Sequence, residues 1–326
     1  MVRAGISGAG LMGGWHARTI QRIGGQVVGF HDSDSSRAHS SAACLPRAQT
    51  FDSLESLLEQ VEVLHVCSPL PAHYDAAATA LARGVYTIVE KPIAPRWEDV
   101  EKLLAMAASN GVWLCPVFQY LFQDGVQRVA AEIERAGEIV ELKSRIASAG
   151  AEKTPELADA LVAEILPHPL SLFCRLFPAS LAEVRWQVGR HRSGELRAAG
   201  EAAGVALQIE ISMNARPAES TFTIAGTQGT FTIDLFHGFS YFLPGRFSRL
   251  KKILLPFEQS SRKFEAASAN LLKRAVRREP AYPGLRRLLG ACYRAIETRA
   301  APPISPETTL MVAQVRDEIL ALREQA

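Results

Sequence analysis

Val2-Arg3-Ala4-Gly5-Ile6-Ser7-Gly8-Ala9-Gly10-Leu11-Met12-Gly13 opens the chain as a short apolar strand that runs into a glycine turn. A helical stretch follows, from 14 to about 23. In such a turn the first glycine permits the tight bend, the second lets the backbone approach a pyrophosphate, and the third lets helix pack on strand. The helix N-terminus then faces the anion. The pattern alone is weak, so its surroundings decide. Gln26-Val27-Val28-Gly29-Phe30-His31 supplies a second strand, and Asp32 closes it nineteen positions after Gly13, the place of a ribose-binding acid. The stretch predicts a dinucleotide site carried by Gly8, Gly10, Leu11, Met12, Gly13 and Asp32. Asp32 accepting from ribose hydroxyls favours NAD and repels the 2′-phosphate of NADP. Ser33, Ser35, Ser36 and Arg37 are the groups a 2′-phosphate would use, which keeps NADP open. The plainer reading of Asp32 is a turn residue in Asp-Ser-Asp-Ser-Ser.

The pattern repeats outward. A short helix over 51–60 precedes a buried strand over 61–67, which ends at Ser68-Pro69-Leu70-Pro71. Ser68 and Pro69 suit a wall of the cofactor site. His73 opens a helix to about 83 and either caps it or faces the ligand. A third apolar run, Val85-Tyr86-Thr87-Ile88-Val89, ends in Glu90-Lys91-Pro92. Proline stops the ladder there, so Glu90 and Lys91 project at the carboxyl edge, where open α/β sheets bind ligands. A solvated ion pair is the alternative. A helix over 95–109 and a strand over 111–117 complete the alternation, which calls for an α/β fold with a doubly wound parallel sheet over 1–118.

Composition sets the bounds. With 326 residues, 48% hydrophobic and 21% charged, the chain suits two folded domains and excludes wholesale disorder. Five scattered cysteines show neither metal-ligand spacing nor a disulfide framework, so no metal is expected and a reducing cytoplasm fits. No signal-like start and no apolar run near the length of a membrane span stand out.

Gly8-Ala9-Gly10-Leu11-Met12-Gly13, Ser68-Pro69 with His73, and Glu90-Lys91-Pro92, in that order, make the chain similar to the Gfo/Idh/MocA family of NAD(P)-dependent oxidoreductases. The resemblance implies that Lys91 sits beside the nicotinamide and the reacting carbon, that Glu90 helps to hold it, and that the Ser68-Pro69 loop and Gln119 border the cofactor. It also implies a second-domain histidine acting as acid or base, an open and largely antiparallel sheet, and a homo-oligomer, dimer or tetramer.

The second domain is expected over 119–326, as an α+β substrate-binding and oligomerisation domain. Gln119-Tyr120-Leu121-Phe122 opens it, with Tyr120 a candidate for catalysis or substrate contact and Leu121 where family members often carry arginine. In Glu164-Ile165-Leu166-Pro167-His168-Pro169, glutamate takes the usual aspartate place four residues before the histidine. The two prolines argue against one continuous helix; His168 then lies near an N-cap and Pro169 starts a helix through 177. His168 is the expected acid or base and Glu164 its candidate partner; the plainer reading is a capping histidine. Strands are expected over 138–148, 183–189, 205–213, 220–224 and 230–235, the last two joined at hairpin length by Gly226-Thr227-Gln228-Gly229. Helices over 285–299 and 307–324 end the chain.

Residues 236–290 hold twelve lysines and arginines against three glutamates, a net charge of +9 in a chain whose total is +2. Such a segment could attract an anionic substrate or a negatively charged membrane surface. Phe264, Ala267, Leu271 and Leu272 fall near helical spacing among these charges. A solvated helical face is the commoner reading, membrane contact the less favoured one, and without a reader motif no nucleic acid is expected.

These readings converge on an NAD(P)-dependent dehydrogenase or reductase, with NAD favoured, acting on a sugar, nucleotide sugar or sugar-like natural-product intermediate, with Lys91 and His168 handling the proton. The rivals are a redox-neutral lyase or glycosidase that retains NAD, and a non-catalytic dinucleotide-binding regulator.

Overall fold

The computed structural model describes residues 1–149, 154–189, 192–245 and 248–325, with the backbone alone for 249–252. Arg246 and the side chains of Arg249, Lys251 and Lys252, counted in the basic segment, lie outside the described residues. The chain divides into two compact units: Met1–Phe118 with Leu285–Gln314, and Gln119–Gly284 with Val315–Ala326.

In the first unit, apolar runs that bury both faces make the parallel strands. The elements alternate: β1 (Arg3–Ser7), α1 (Leu11–Arg22), β2 (Gln26–His31), α2 (Ser35–Ala43), β3 (Gln49–Thr50), α3 (Leu54–Leu58), β4 (Val63–Val66), α4 (His73–Ala82), β5 (Tyr86–Val89), α5 (Trp97–Ser109) and β6 (Leu114–Pro116). The sheet order is β3-β2-β1-β4-β5-β6, and every pairing is parallel. Strand order reverses between β1 and β4, so the loops after those strands flank the crevice where such sheets take ligands. Leu64, Val66, Leu81, Val89 and Leu103 are fully buried in a core between sheet and helices. Each removes on the order of 2 kcal/mol of apolar surface from water.

The helix Leu285–Thr298 corrects the expectation that all of 119–326 forms the second domain. It buries Leu285, Leu288, Leu289, Cys292, Tyr293 and Ile296. Its Tyr293 ring fills the space that a side chain on Gly25 would need, which draws the segment back onto the first unit.

The second unit is built on a seven-stranded sheet. After α6 (Asp124–Glu132) come β7 (Ile139–Ala147), α7 (Pro155–Ile165), α8 (Pro167–Leu176), β8 (Gln187–Gly189), β9 (Glu195–Ala202), β10 (Val205–Ser212), β11 (Glu219–Gly226), β12 (Gly229–Asp234), β13 (Phe239–Pro244) and α9 (Arg249–Arg277). The order is β13-β12-β11-β7-β10-β9-β8; β7 pairs β10 in parallel and the other pairings are antiparallel. Strict alternation explains the sheet: Val205, Leu207, Ile209 and Ile211 point inward while their neighbours are half-exposed. Gly226 pairs Gly229 across a two-residue turn, the hairpin that the sequence predicts. The chain ends with α10 (Leu285–Thr298) and α11 (Pro306–Gln325).

Five elements escaped the sequence reading: α2, β3, α7, β9 and β13. β9 buries only Leu196 and Ala198 among polar and small residues, too weak an alternation to read without its partner β10. Pro167 also breaks less than expected, because Leu166 between α7 and α8 keeps helical dihedrals. The joined run Pro155–Leu176 is therefore long and apolar enough to cross a membrane by length and composition, with 56% of that window buried inside the protein.

Candidate functional site

The glycine turn is fixed from two sides. Gly8 has φ +96°, a region that favours glycine, and its N–H donates to His31 O at 2.9 Å. A side chain at Gly8 would strike the Cys67–Ser68 backbone, and one at Gly13 would strike Gly8 O. Gly10 is different: nothing lies within 4 Å of where its Cβ would be. This is the cradle that a pyrophosphate requires, open at the second glycine and closed at the first and third. Gly10 is the N-cap of α1 and gives it no side-chain cap, which leaves first-turn N–H groups for an anion. Leu11, at the first helical position, is largely exposed.

Asp32 is more than a turn residue. Its Oδ2 accepts from Ala9 N at 2.7 Å and its Oδ1 from Asp34 N at 2.9 Å, so one carboxylate ties the end of β2 to the glycine turn. Each oxygen keeps a lone pair that a ribose hydroxyl could use. Asp34 caps α2 by accepting from Ser36 N and Arg37 N. It also pairs with the Arg37 guanidinium at 3.3 Å. Hydrogen bonds to Arg37, led by its backbone N–H, hold the exposed Asp34 carboxyl below the usual range.

His73 is buried, and both its ring nitrogens meet backbone carbonyls: Nδ1 lies 2.8 Å from Pro92 O and Nε2 2.7 Å from Ser68 O. Both ring nitrogens are thus held by backbone oxygens of the two loops. The ring is a strut between the loops after β4 and β5, at the sheet edge where His73 is expected among the cofactor-contacting residues. Ser68 Oγ, in contrast, is buried and finds no hydrogen-bond partner among the described residues.

At the end of β5, Glu90 is buried while Lys91 is half-exposed and followed by a cis bond to Pro92. Glu90 Oε2 accepts from Lys91 N at 3.3 Å, and Oε1 lies 3.1 Å from His16 Nε2. The chain of contacts continues inward: His16 Nδ1 is 2.8 Å from His65 Nδ1, and His65 Nε2 is 3.0 Å from the Tyr293 hydroxyl. With Glu90 ionised and both rings neutral, one arrangement satisfies every member. His16 Nε2–H donates to Glu90, His65 Nδ1–H donates to His16, and Tyr293 O–H donates to His65 Nε2. Burial, aided by His16, pushes the His65 imidazole well below its ordinary value. Burial likewise raises the Tyr293 hydroxyl and the neighbouring Cys67 thiol, the latter helped by the Glu90 charge.

Sequence reading missed His16, His65 and Tyr293. A histidine inside the valine-rich strand Val63–Val66 was the available signal, because an imidazole there must find a buried partner. Tyr293 lies 228 positions from His65 and carries no local signal.

In the second unit, Gln119 and Tyr120 sit on a 3₁₀ turn, Gln119–Phe122. Gln119 is buried, with Oε1 unpartnered among the described residues. Tyr120 stacks on His168, ring centroids 4.2 Å apart and planes inclined by 17°. Burial raises the Tyr120 hydroxyl. His168 is the second residue of α8, which starts at Pro167 and not at Pro169 as expected. Proline suits the first turn, where no N–H is needed. Ser171 Oγ donates to His168 O at 2.8 Å and anchors that turn. Glu164 lies near the end of α7, with the Leu166–Pro167 junction between it and His168. The structure thus brings Tyr120 and His168 together.

Residues 2–118 match the profile of the Gfo/Idh/MocA oxidoreductase family, NAD-binding Rossmann fold. The chain is 32% identical over 132 residues to a UDP-N-acetylglucosamine 3-dehydrogenase of Acidithiobacillus ferrooxidans, covering 38% of this chain and 42% of that protein. It is 31% identical over 235 residues to inositol 2-dehydrogenase 2 of Paenarthrobacter aurescens, covering 68% of this chain and 67% of that one. The match therefore spans less than half of the first relative's length and about two thirds of the second's. Among solved structures, the Acidithiobacillus ferrooxidans UDP-N-acetylglucosamine 3-dehydrogenase GnnA superposes with TM-score 0.78 at 18% identity, over 99% of this chain and 98% of that one. The WlbA dehydrogenase of Bordetella pertussis, solved with NADH and UDP-GlcNAcA, gives 0.78 at 19% identity over 99% and 96%. At such identities the likeness speaks for the fold. The sequence match to an inositol dehydrogenase reaches past the dinucleotide-binding unit into the second, and the chain belongs to the Gfo/Idh/MocA family of oxidoreductases.

Proposed function

We propose that this protein is an NAD(P)-dependent dehydrogenase or reductase, acting at a secondary alcohol or ketone carbon of a sugar, nucleotide sugar or sugar-like intermediate. The observation that carries the reading is the glycine cradle tied to Asp32, on the same sheet edge as Lys91. A bound dinucleotide supplies the hydride acceptor or donor. The chain does the rest. First-turn N–H groups of α1 hold the pyrophosphate, and Asp32 accepts from the ribose. Lys91 takes or returns the hydroxyl proton or, as a cation, polarises the oxygen. His168, backed by Tyr120, is the second candidate for that proton. NAD is favoured over NADP because Asp32 would repel a 2′-phosphate, and Arg37, which would bind one, is engaged by Asp34. Relatives named for UDP-N-acetylglucosamine and inositol support a secondary alcohol on a polyhydroxylated ring as substrate.

Purified protein mixed with NAD+ or NADP+ and a panel of inositols, sugars and nucleotide sugars tests this, with reduced nicotinamide followed by absorbance. Reduction with at least one ring alcohol is expected, and Lys91→Ala should lower kcat by roughly 10²-fold or more with little change in dinucleotide affinity. Absence of dinucleotide binding by calorimetry would sink the reading.

A further inference from the structure

α9 is an amphipathic helix mounted with its faces reversed. The side that packs on the second unit is polar. Arg274 donates to His237 O at 3.1 Å, Glu279 O at 3.0 Å and Pro280 O at 2.9 Å; Lys273 and Arg277 pair with Asp124, and Asn270 donates to His237 O. Glu258, Arg262, Ala266, Ala267, Asn270, Arg274 and Arg277 are the partly covered positions, close to helical spacing. The opposite side is bare and carries the bulky apolar residues, with Ser260, Ser261, Glu265 and Ser268 between them. Ile253, Phe257, Phe264 and Leu271, spaced by four and then seven residues, form one stripe, widened by Leu254, Leu272 and Val276. Phe257 and Phe264 are each 73% exposed, Leu271 71% and Val276 78%. Scattered exposed apolar residues need no explanation, whereas a continuous stripe marks an interaction face.

Charge decides what covers it. The helix carries eight lysines and arginines against two glutamates, within a segment of net charge +9. Two copies of so cationic a helix repel, and an anionic surface attracts it. Bulky apolar side chains on one face of a cationic helix are the chemistry of a helix lying in the headgroup–acyl boundary. We propose that α9 is a membrane-surface anchor, which seats the second unit on an anionic lipid bilayer by inserting the Ile253–Val276 stripe. The ion pairs on its inner side hold the helix to the protein, and its overall charge draws it to the lipid. The sequence alone favours a solvated face; the exposed bulky apolar residues are the observation on which the proposal departs from it.

The test is co-sedimentation of the full chain with vesicles of phosphatidylglycerol and phosphatidylcholine at one to three, and with phosphatidylcholine alone, at low and high salt. The expected result is binding to the anionic vesicles, weakened at least tenfold by high salt or by omitting phosphatidylglycerol. The variant Phe257→Ser/Phe264→Ser/Leu271→Ser should lose at least tenfold in vesicle affinity while keeping its melting temperature and its NAD+ affinity, since none of these side chains supports the core or the dinucleotide site. Equal sedimentation of wild type and variant would overturn the proposal. So would a wild type that ignores vesicles, including one that sediments as a dimer which the triple substitution converts to monomer; that outcome would assign the stripe to a second copy of the chain.

Discussion

Glu90 illustrates how the edge of a sheet is set by residues far from it. Its carboxylate is oriented by His16, which leans on His65, which leans on Tyr293, all of them buried. A buried polar chain of this kind is stable only when every member is satisfied. The position of Glu90, and through it the Lys91 backbone, therefore depends on a tyrosine of α10. The same chain makes stability respond to acid in a defined direction. His65 in the folded protein titrates well below 6.5, because burial opposes its charge. Below about pH 6.5 the unfolded chain then binds a proton that the folded chain refuses, so stability falls as pH drops through that value, by up to about 1.4 kcal/mol per pH unit. Other groups face this chain of contacts: the Cys67 thiol beside Glu90 and the Cys292 thiol beside Tyr293, both pushed up by burial and so titrating on the alkaline side. Urea unfolding of wild type and His65→Leu between pH 7 and pH 5 checks this. The variant is less stable at neutral pH, because Tyr293 and His16 lose a partner, yet its stability declines less steeply with acid. Parallel declines would show that His65 is not the proton-linked group.

At the scale of an element, the turn between β1 and α1 separates glycines that shape the fold from one that serves the ligand. A methyl at Gly13 would collide with Gly8 O, whereas a methyl at Gly10 would enter open space. Gly10→Ala should therefore leave the melting temperature almost unchanged while weakening NAD+ at least about tenfold, because the methyl occupies the pyrophosphate's path. Gly13→Ala should weaken both, at a stability cost of about 1–3 kcal/mol as helix and turn are forced apart. Calorimetric unfolding with NAD+ titration of each variant separates the two, and a Gly10→Ala protein that binds NAD+ normally would move the pyrophosphate elsewhere. This turn was readable because its signal is local: strand, glycine spacing and Asp32 lie within one stretch of thirty or so residues. The Tyr120–His168 stack was not. The sequence singles out both residues, Tyr120 for catalysis or substrate contact and His168 for the proton, yet nothing in their spacing brings the two rings together. α9 shows a third case, in which periodicity indicated an amphipathic helix but could not say which face the protein covers.

For the whole molecule, the parallel sheet was legible because runs buried on both faces need no partner to be recognised, and the mixed sheet was legible only where alternation was strong. What sequence concealed was that the chain crosses back, with 285–314 completing the unit begun by 1–118. Amphipathic helices such as α10 show how much they bury and not against what; the burial of Leu288, Leu289 and Cys292 supplies the answer only in three dimensions. A consequence is that residues 1–118 lack part of their own core. Produced alone, that fragment should melt at least a few degrees below the first unit of the intact protein, since losing even about 1 kcal/mol shifts the melting temperature of domains of roughly 60–250 residues by about 2–8 °C. It should also bind NAD+ more weakly, because without Tyr293 the His65–His16–Glu90 chain loses its terminal donor. A peptide spanning 285–314 added in trans should restore both properties, and the same peptide with Tyr293→Phe should recover most of the melting temperature and less of the NAD+ affinity. Calorimetry on the fragment with and without each peptide distinguishes these outcomes. A fragment that binds NAD+ as tightly as the intact chain, with no response to the peptide, would show that α10 merely covers the first unit and does not help to shape its ligand edge.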